Sequence, residues 1–212
     1  MIKHLYFGMF DVLITGRLNK KPDTSYLSQL VEFAKAEKIQ LYLMTGLDAS
    51  ASEAVVTENN LDAYFPSKNI ICISDSYFKY LSDIDKELKA QEKEKCQCYS
   101  DEYFKVYYFN NQFNLPKEKA LFVGHDVWAD TYYLHKFSQV NSVLLRCTLS
   151  HNHLSAIPAI KNLNIVDPTI ECIKDYLLNE KQFDYSALCS YADKFLYNEM
   201  FGSTLANASL NM

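Results

Sequence analysis

Short apolar runs alternate along the chain with stretches in which apolar residues recur every three to four positions. The first pattern is typical of buried parallel strands, and the second of amphipathic helices that cross over between them. Strands are predicted near 2–7, 39–44, 69–73, 120–123, 142–147 and 163–166. The alternation therefore predicts an α/β protein of three layers, with a Rossmann-like parallel sheet of five to six strands and helices on both faces.

Helical patterns fill the stretches between these strands. In the first helix, four apolar residues share one face: Leu27, Leu30, Val31 and Ala34. Asp23 or Thr24 precedes them and is predicted to cap the helix. Further helices are predicted at 49–58, 103–112 and 168–179. Pro168 is expected in the first turn of the last of these. Another helix is predicted after Gly124, and it carries Ala129, Tyr132, Tyr133 and Phe137.

The composition is that of a globular protein. Of the 212 residues, 49% are apolar and 22% are charged, and the formal net charge is −5. An acidic chain without a cluster of Lys and Arg fits a nucleic-acid backbone poorly, so no nucleic-acid partner is expected. No apolar run has the length of a membrane span, and no signal peptide is recognised, so no membrane partner is expected either. The six scattered cysteines suit reduced thiols, and a cytoplasmic location is predicted.

Two pairs of metal-ligand residue types invite a zinc interpretation. Cys96 and Cys98 are separated by one residue, and so are His151 and His153. Structural zinc sites place two or more residues between the ligands of at least one pair, so this spacing is wrong. These side chains are expected to be solvated loop residues. The charge-rich stretch 80–97 is likewise predicted to be a solvated helix.

The chain is predicted to form one domain with a tail. No internal repeat or low-complexity linker divides it, so the domain is placed at 1–181 and a helical tail at 182–212. The tail carries enough apolar surface to dock, through Leu188, Phe195, Leu196 and Phe201. It is expected to pack on the domain or on a partner, and a second copy of the chain is one such partner.

The start of the chain, MIKHLYFGMFDVLITG, combines an apolar strand, a tight segment and a second apolar step. It resembles the first motif of the haloacid dehalogenase-like (HAD) hydrolases, where the strand ends in Asp-x-Asp-Gly-(Val/Thr)-Leu. In that alignment Gly8 and Phe10 occupy the positions of the two aspartates, so the chain is similar to a degenerate member of this superfamily. A second alignment makes Asp11 the nucleophile. It requires a longer first strand and leaves Ile14 where the turn glycine belongs.

The second and third motifs of the resemblance are less specific. Thr45 and Gly46 follow a strand and precede a helix, as in the Thr/Ser motif whose hydroxyl and backbone N–H groups hold phosphoryl oxygens. The alternative is that Thr45 only begins the helix. The lysine of the third motif falls at or near Cys98, with Lys95 one turn upstream. The lysine is therefore taken to be missing.

The fourth motif is the most specific part of the resemblance. The run LPKEKALFVGHDVWAD reproduces a buried strand followed by a glycine and aspartates, and Gly124 and Asp130 match. His125 stands in place of the metal-binding aspartate, with Asp126 directly after it. Because Mg²⁺ prefers oxygen ligands, Asp126 and Asp130 are the remaining candidates for a metal. Trp128 either fills the former phosphate pocket together with Phe10 or packs under the following helix.

The resemblance implies a HAD-like fold without a large cap domain, because only one helix separates the first and second motifs. Family members without caps have open sites and often act on macromolecules. An open surface that meets another protein is therefore expected here.

Three functions follow from these patterns. The first is a catalytically inactive pseudo-hydrolase that binds a partner protein and uses no cofactor. The second is an active hydrolase of the phosphatase or dehalogenase type, with a relocated acidic site that contains Asp11, Asp126 and Asp130, uses His125 as base or ligand, and requires Mg²⁺ or Mn²⁺. The third is a self-associating protein. The residues of the degenerate catalytic site would be Asp11, Thr45 and His125, with Thr45 and Gly46 binding an anion.

Overall fold

The computed structural model describes residues 1–16, 19, 21–73, 76–79, 101–146 and 164–191. Its strands are β1 (His4–Gly8), β2 (Gln40–Met44), β3 (Ile70–Ile71), β4 (Ala120–Gly124), β5 (Asn141–Leu145) and β6 (Ile165–Val166). They form one six-stranded sheet in the order β3-β2-β1-β4-β5-β6. Every neighbouring pair is parallel. The predicted parallel α/β sheet is therefore confirmed.

The strand order reverses beside β1. The chain first adds β2 and β3 on one side of β1, and then adds β4, β5 and β6 on the other. In open parallel sheets the crevice beyond the carboxyl ends of the strands at such a reversal is the usual ligand site. Here that crevice lies between the end of β1 at Gly8 and the end of β4 at Gly124. The candidate residues of the first and fourth motifs therefore meet at one place.

Helices connect the strands. They are α1 (Leu27–Glu37), α2 (Ala49–Glu58), α3 (Asp101–Asn111), α4 (Leu134–Ser138) and α5 (Ile170–Leu177). A π-helical segment, Val127–Tyr133, runs directly into α4. The bounds of α2 are those predicted from the sequence, and α3 and α5 lie where helices are expected. None of the helices in the described ranges is long and apolar enough to cross a membrane.

The sheet separates two apolar layers. On one face, alternate strand residues such as Leu5, Phe7 and Leu43 pack against α1, α2 and α5. On the opposite face, Tyr6 and Phe122 pack against α3 and α4. Alternation along each strand sends neighbouring side chains to opposite faces, which is why one short strand contributes to both layers. The predicted three-layer arrangement is confirmed.

Two predicted helix starts differ from the structure. Tyr26 precedes α1 and makes no side-chain capping bond. Asp23 instead accepts a hydrogen bond from the backbone N–H of Ser25 at 3.0 Å, which closes a local turn before the helix begins. At α5 the cap is Thr169, whose hydroxyl accepts from the N–H of Cys172 at 3.3 Å. Pro168 therefore lies before the helix rather than in its first turn.

The helix predicted after Gly124 begins with a π-helical segment. Ala129 and Tyr132 are buried, but Phe137 is 47% exposed and stacks on Tyr133, with ring centroids 5.9 Å apart. A π-helical turn bonds over five residues instead of four, so positions beyond it rotate away from the face that α-helical spacing predicts. Phe137 is therefore on the surface.

The beginning of the predicted tail packs on the domain. Tyr185 and Leu188 are buried in a small apolar cluster with Val127, Tyr132 and Leu144. The hydroxyl of Tyr185 accepts a hydrogen bond from the backbone N–H of Ser142 at 2.7 Å. These contacts attach the segment to β5. Residues 192–212, the charged stretch 80–97 and the Cys96, Cys98, His151 and His153 pairs lie outside the described residues.

Candidate functional site at the strand ends

The tip of β1 carries no acid. Gly8 ends the strand, and a Cβ placed there would lie 3.3 Å from Cγ2 of Val12. Phe10, two residues further, is 37% exposed and pairs with Ile14 through a backbone bridge. The two positions that the resemblance assigns to aspartates therefore have no carboxylate. Gly8 has no side chain, and Phe10 has a partly exposed phenyl ring.

Asp11 lies just beyond this tip and is buried. Its backbone adopts a left-handed conformation with φ of 59°, which Asp tolerates better than most residues. The N–H of Asp11 donates to the carbonyl of Ile14 at 2.8 Å, and its Oδ1 accepts from the N–H of Gly16 at 3.1 Å. A Cβ at Gly16 would lie 2.5 Å from Oδ2 of Asp11. Asp11 thus closes the loop between 11 and 16, and only glycine fits opposite its carboxylate.

Asp130 is the most enclosed acid of the site. It lies in the π-helical segment, and its Oδ2 accepts hydrogen bonds from the backbone N–H groups of His125 at 2.9 Å and Asp126 at 3.1 Å. Its Oδ1 contacts the ammonium of Lys105, which comes from α3. The ammonium also lies 5.2 Å from the centroid of the Phe122 ring on β4. Both oxygens of Asp130 are therefore engaged.

The surroundings of Asp130 decide its charge. Burial by itself would raise the pKa of this carboxyl, but the Lys105 ammonium, the His125 imidazole and the hydrogen bonds outweigh burial. The net result is a pKa below the usual range, so Asp130 is a buried carboxylate whose charge is stabilised by its neighbours.

His125 connects the two strand ends. Its Nδ1 lies 3.5 Å from Oδ2 of Asp130, and its Nε2 lies 3.8 Å from Oδ2 of Asp11. The imidazole is thus placed between a carboxylate of the β1 loop and a carboxylate of the β4 loop, at distances longer than a good hydrogen bond. The structure brings together Asp11, His125, Asp130 and Lys105, and we call these four residues the charged cluster.

Asp126 has a different role from its neighbour. Its Oδ1 accepts from the backbone N–H groups of Trp128 at 2.8 Å and Ala129 at 2.7 Å, which caps the π-helical segment. Trp128 packs against Tyr132, with centroids 6.0 Å apart, and against Tyr191, with centroids 6.2 Å apart. Of the two expectations for Trp128, packing with the following helix is the one that agrees with these contacts.

Thr45 follows β2 and is buried. Its hydroxyl accepts the N–H of Leu47 at 3.2 Å, and its own N–H donates to the carbonyl of Ile71 at 3.0 Å. Within the described part of the chain, these bonds go to the approach of α2 and to β3, and none joins Thr45 to the charged cluster. Asp48 caps α2 by accepting from the N–H of Ala51 at 2.8 Å. A carboxylate therefore already stands at the helix start beside Thr45 and Gly46.

Lys105 is the member of the cluster that the sequence analysis missed. The resemblance places the third-motif lysine at or near Cys98, with Lys95 one turn upstream, and both positions lie outside the described residues. One signal was available: Lys105 stands between Phe104 and Val106 in a helix of aromatic residues, and both neighbours are buried. A lysine in such a setting needs a partner.

The metal implied by the resemblance does not fit the residues present. Mg²⁺ takes hard oxygen ligands in near-octahedral geometry, yet the oxygens of Asp130 already contact an ammonium and two backbone N–H groups. One oxygen of Asp126 accepts two helix-capping bonds. Across the ranges that the structure describes, no group of three or more His, Cys, Asp or Glu side chains is placed to hold a metal ion.

The site and the sheet define a parallel α/β protein with a polar cluster at the topological switch point. No protein-family model and no curated protein matches the sequence. One solved structure is similar, the NMR structure of the core domain of a "putative phosphoglycolate phosphatase" from Streptococcus pneumoniae TIGR4. The sequences are 14% identical, the TM-score is 0.38, and the match covers 76% of this chain and 98% of that chain. So weak a similarity adds nothing to what the strand order shows directly.

Proposed function

We propose that this chain is a HAD-like protein that no longer transfers phosphate and acts by binding another protein. The observation that carries the proposal is the tip of β1, where Gly8 and Phe10 stand in place of the two aspartates. Phosphoryl transfer in the resembling family needs a carboxylate that attacks phosphorus and forms an acyl phosphate. Neither residue has an oxygen in its side chain.

The remaining acids support the same conclusion because each is committed to an internal contact. Asp11 accepts from Gly16 within its own loop, Asp126 caps a helix, and Asp130 neutralises Lys105. Loss of a covalent nucleophile costs about 10⁶ in kcat in other hydrolases. Any of these three acids could replace the missing nucleophile only by releasing the contacts that it makes within the fold.

A second candidate function has one observation in its favour. His125 lies between Asp11 and Asp130 at the strand ends, and its imidazole is within 4 Å of both carboxylates. In an active hydrolase of the alternative alignment, Asp11 would attack the substrate, and His125 would accept or donate the proton. The burial of Asp11 and its bond to Gly16 argue against this function.

An activity assay separates the two candidates. The purified full chain should not hydrolyse p-nitrophenyl phosphate or acetyl phosphate above the rate without protein, with Mg²⁺, Mn²⁺ or neither. Mass spectrometry after acetyl phosphate treatment should find no phosphorylated aspartate. Turnover that Asp11→Asn abolishes, while the surface control Asp175→Asn, which only removes an ion pair with Lys181, retains it, would establish the second candidate instead.

The proposed partner contact lies at the open strand ends, where Phe10 is partly exposed. A photo-crosslinking amino acid at position 10 tests it in cells, with the same amino acid at Phe137 as the matched control. Phe137 is similarly exposed but stacks on the surface of the helix after β4. We expect one dominant protein adduct from position 10. Identical adducts from the two positions, or none from position 10, would contradict the proposal.

A further inference from the structure

The contact between Lys105 and Asp130 joins a half-buried ammonium and a buried carboxylate from different elements. Only 15% of the Lys105 side chain and 1% of the Asp130 side chain are exposed. Lys105 belongs to α3, and Asp130 to the π-helical segment after β4. The ammonium of Lys105 also lies over the Phe122 ring of β4, 5.2 Å from its centroid. This pair is a built part of the core and unlike a surface ion pair.

A carboxylate as enclosed as Asp130 requires a countercharge. Burying an unpaired carboxylate is strongly unfavourable, so a protein either pairs it or keeps it protonated. In phosphotransfer sites a divalent cation supplies such a charge. Here the Lys105 ammonium occupies Oδ1, and two backbone N–H groups occupy Oδ2. A carboxylate has about four lone-pair sites, and three partners already use three of them.

We infer that the Lys105 ammonium replaces a divalent cation as the countercharge of Asp130. The chain thereby keeps the strand-end loop of the fourth motif ordered without a metal. A divalent cation on the same carboxylate would lie beside the ammonium and be repelled by it. It would also have to compete with the hydrogen bonds that hold His125 and Asp126 in place. Lys105 is thus a positioning residue for the loop that carries His125.

This inference is independent of the proposed partner. It concerns only how the charged cluster is held, and it would stand for an active metal-independent hydrolase as well. Turnover of a phosphate ester without added metal would contradict the proposed function and leave Lys105 in its role. Binding of a cation at Asp130 without turnover would do the reverse.

The first experiment is a Mn²⁺ titration of the full chain followed by electron paramagnetic resonance. Because the ammonium is already in place, free Mn²⁺ should account for the whole signal up to about 1 mM metal with roughly 0.1 mM protein. Asp130→Asn should give the same titration as the wild type. A bound fraction in the wild type that Asp130→Asn removes would overturn the inference.

The second experiment is a double-mutant cycle read by thermal unfolding. Lys105→Met should lower the unfolding midpoint strongly, since it leaves Asp130 buried and unpaired. Adding Asp130→Asn to Lys105→Met should recover more than half of that loss, because the Asn needs no countercharge. The matched control is Lys35→Met, which breaks the exposed pair with Glu32 and should shift the midpoint little.

Two results would contradict the pairing. One is a shift for Lys105→Met as small as that for Lys35→Met. The other is a double variant no more stable than Lys105→Met alone, which would show that Lys105 acts only through packing on Phe122. If Lys105→Met does not fold, folding of the double variant supports the pairing. Failure of both to fold, with Asp130→Asn folded, opposes it.

Discussion

Gly124 and Asp130 approach so closely that position 124 has no room for a side chain. A Cβ built on Gly124 would lie 2.4 Å from the Cβ of Asp130 and 2.5 Å from its Oδ2. This approach lets the carboxylate fold back onto the end of β4 and accept the N–H groups of the next two residues. The glycine is therefore required by the contact with Asp130.

Replacing this glycine should consequently damage the loop. Gly124→Ala is expected to lower the free energy of unfolding by about 1–3 kcal/mol, because the new methyl group displaces Asp130 from its hydrogen bonds. The control is Gly8→Ala at the end of β1, where the nearest atom to the new Cβ is Cγ2 of Val12 at 3.3 Å. Urea unfolding of the two variants checks the comparison. If Gly124→Ala and Gly8→Ala lower the free energy of unfolding equally, the displacement of Asp130 adds no measurable cost.

The sequence specified the sheet well, for a local reason. Each strand is a short apolar run between helical patterns, and burial on both faces of a parallel sheet requires that composition. The position of α2 followed in the same way, since Asp48 caps it by a bond to Ala51 only three residues away. The strands and α2 could therefore be predicted from neighbouring residues, whereas the caps of α1 and α5 could not.

The charged cluster could be predicted only in part. The sequence placed His125, Asp126 and Asp130 on one loop, but it could not show which acid caps the helix and which faces inward. Lys105 and Asp130 are 25 residues apart, and their contact depends on the way α3 packs across the sheet. Long-range contacts of this kind are a property of the tertiary fold, and periodicity along the chain does not encode them.

The buried carboxylate should make stability sensitive to acid. Because the folded-state pKa of Asp130 lies below its ordinary value of 3.8, its ionised form stabilises the fold fully above that value. The contribution is lost as the pH falls through the folded-state pKa. The free energy of unfolding should therefore decline less steeply below about pH 4 in Asp130→Asn than in the wild type. Urea unfolding between about pH 2.5 and 5 measures both slopes, and parallel curves would refute this account.

The hydroxyl of Tyr185 should contribute to stability through β5. It accepts the N–H of Ser142 at 2.7 Å and lies 3.4 Å from the carbonyl of the same residue. Burial raises the pKa of this phenol, so it stays neutral and keeps its proton for donation. Tyr185→Phe leaves both backbone groups without this partner and should cost about 1–3 kcal/mol. Tyr64→Phe, which removes a surface bond to Ser28 at 3.3 Å, is the matched control and should cost well under half as much.

The stacking of His135 on Tyr185 should add a second dependence on pH, near neutrality. The ring centroids are 3.9 Å apart with an interplanar angle of 19°, and Nδ1 of His135 is buried with no hydrogen-bond partner among the described residues. Burial lowers the pKa of His135 from its usual 6.5. The unfolded chain therefore binds a proton at a higher pH than the folded one, and stability falls as the pH drops below about 6.5 towards the folded-state pKa.

His135→Phe keeps an aromatic ring on Tyr185 and removes the titration. The free energy of unfolding of this variant should fall less than that of the wild type when the pH is lowered from about 7.5 to 5. His4, whose pKa is also lowered by burial and by the charge of Lys119, is present in both proteins, so the difference between the two curves isolates His135. Far-ultraviolet circular dichroism followed through urea unfolding at each pH gives the two curves. A constant offset across this range would mean that His135 titrates equally in the folded and unfolded chain, and that its contact with Tyr185 is insensitive to charge.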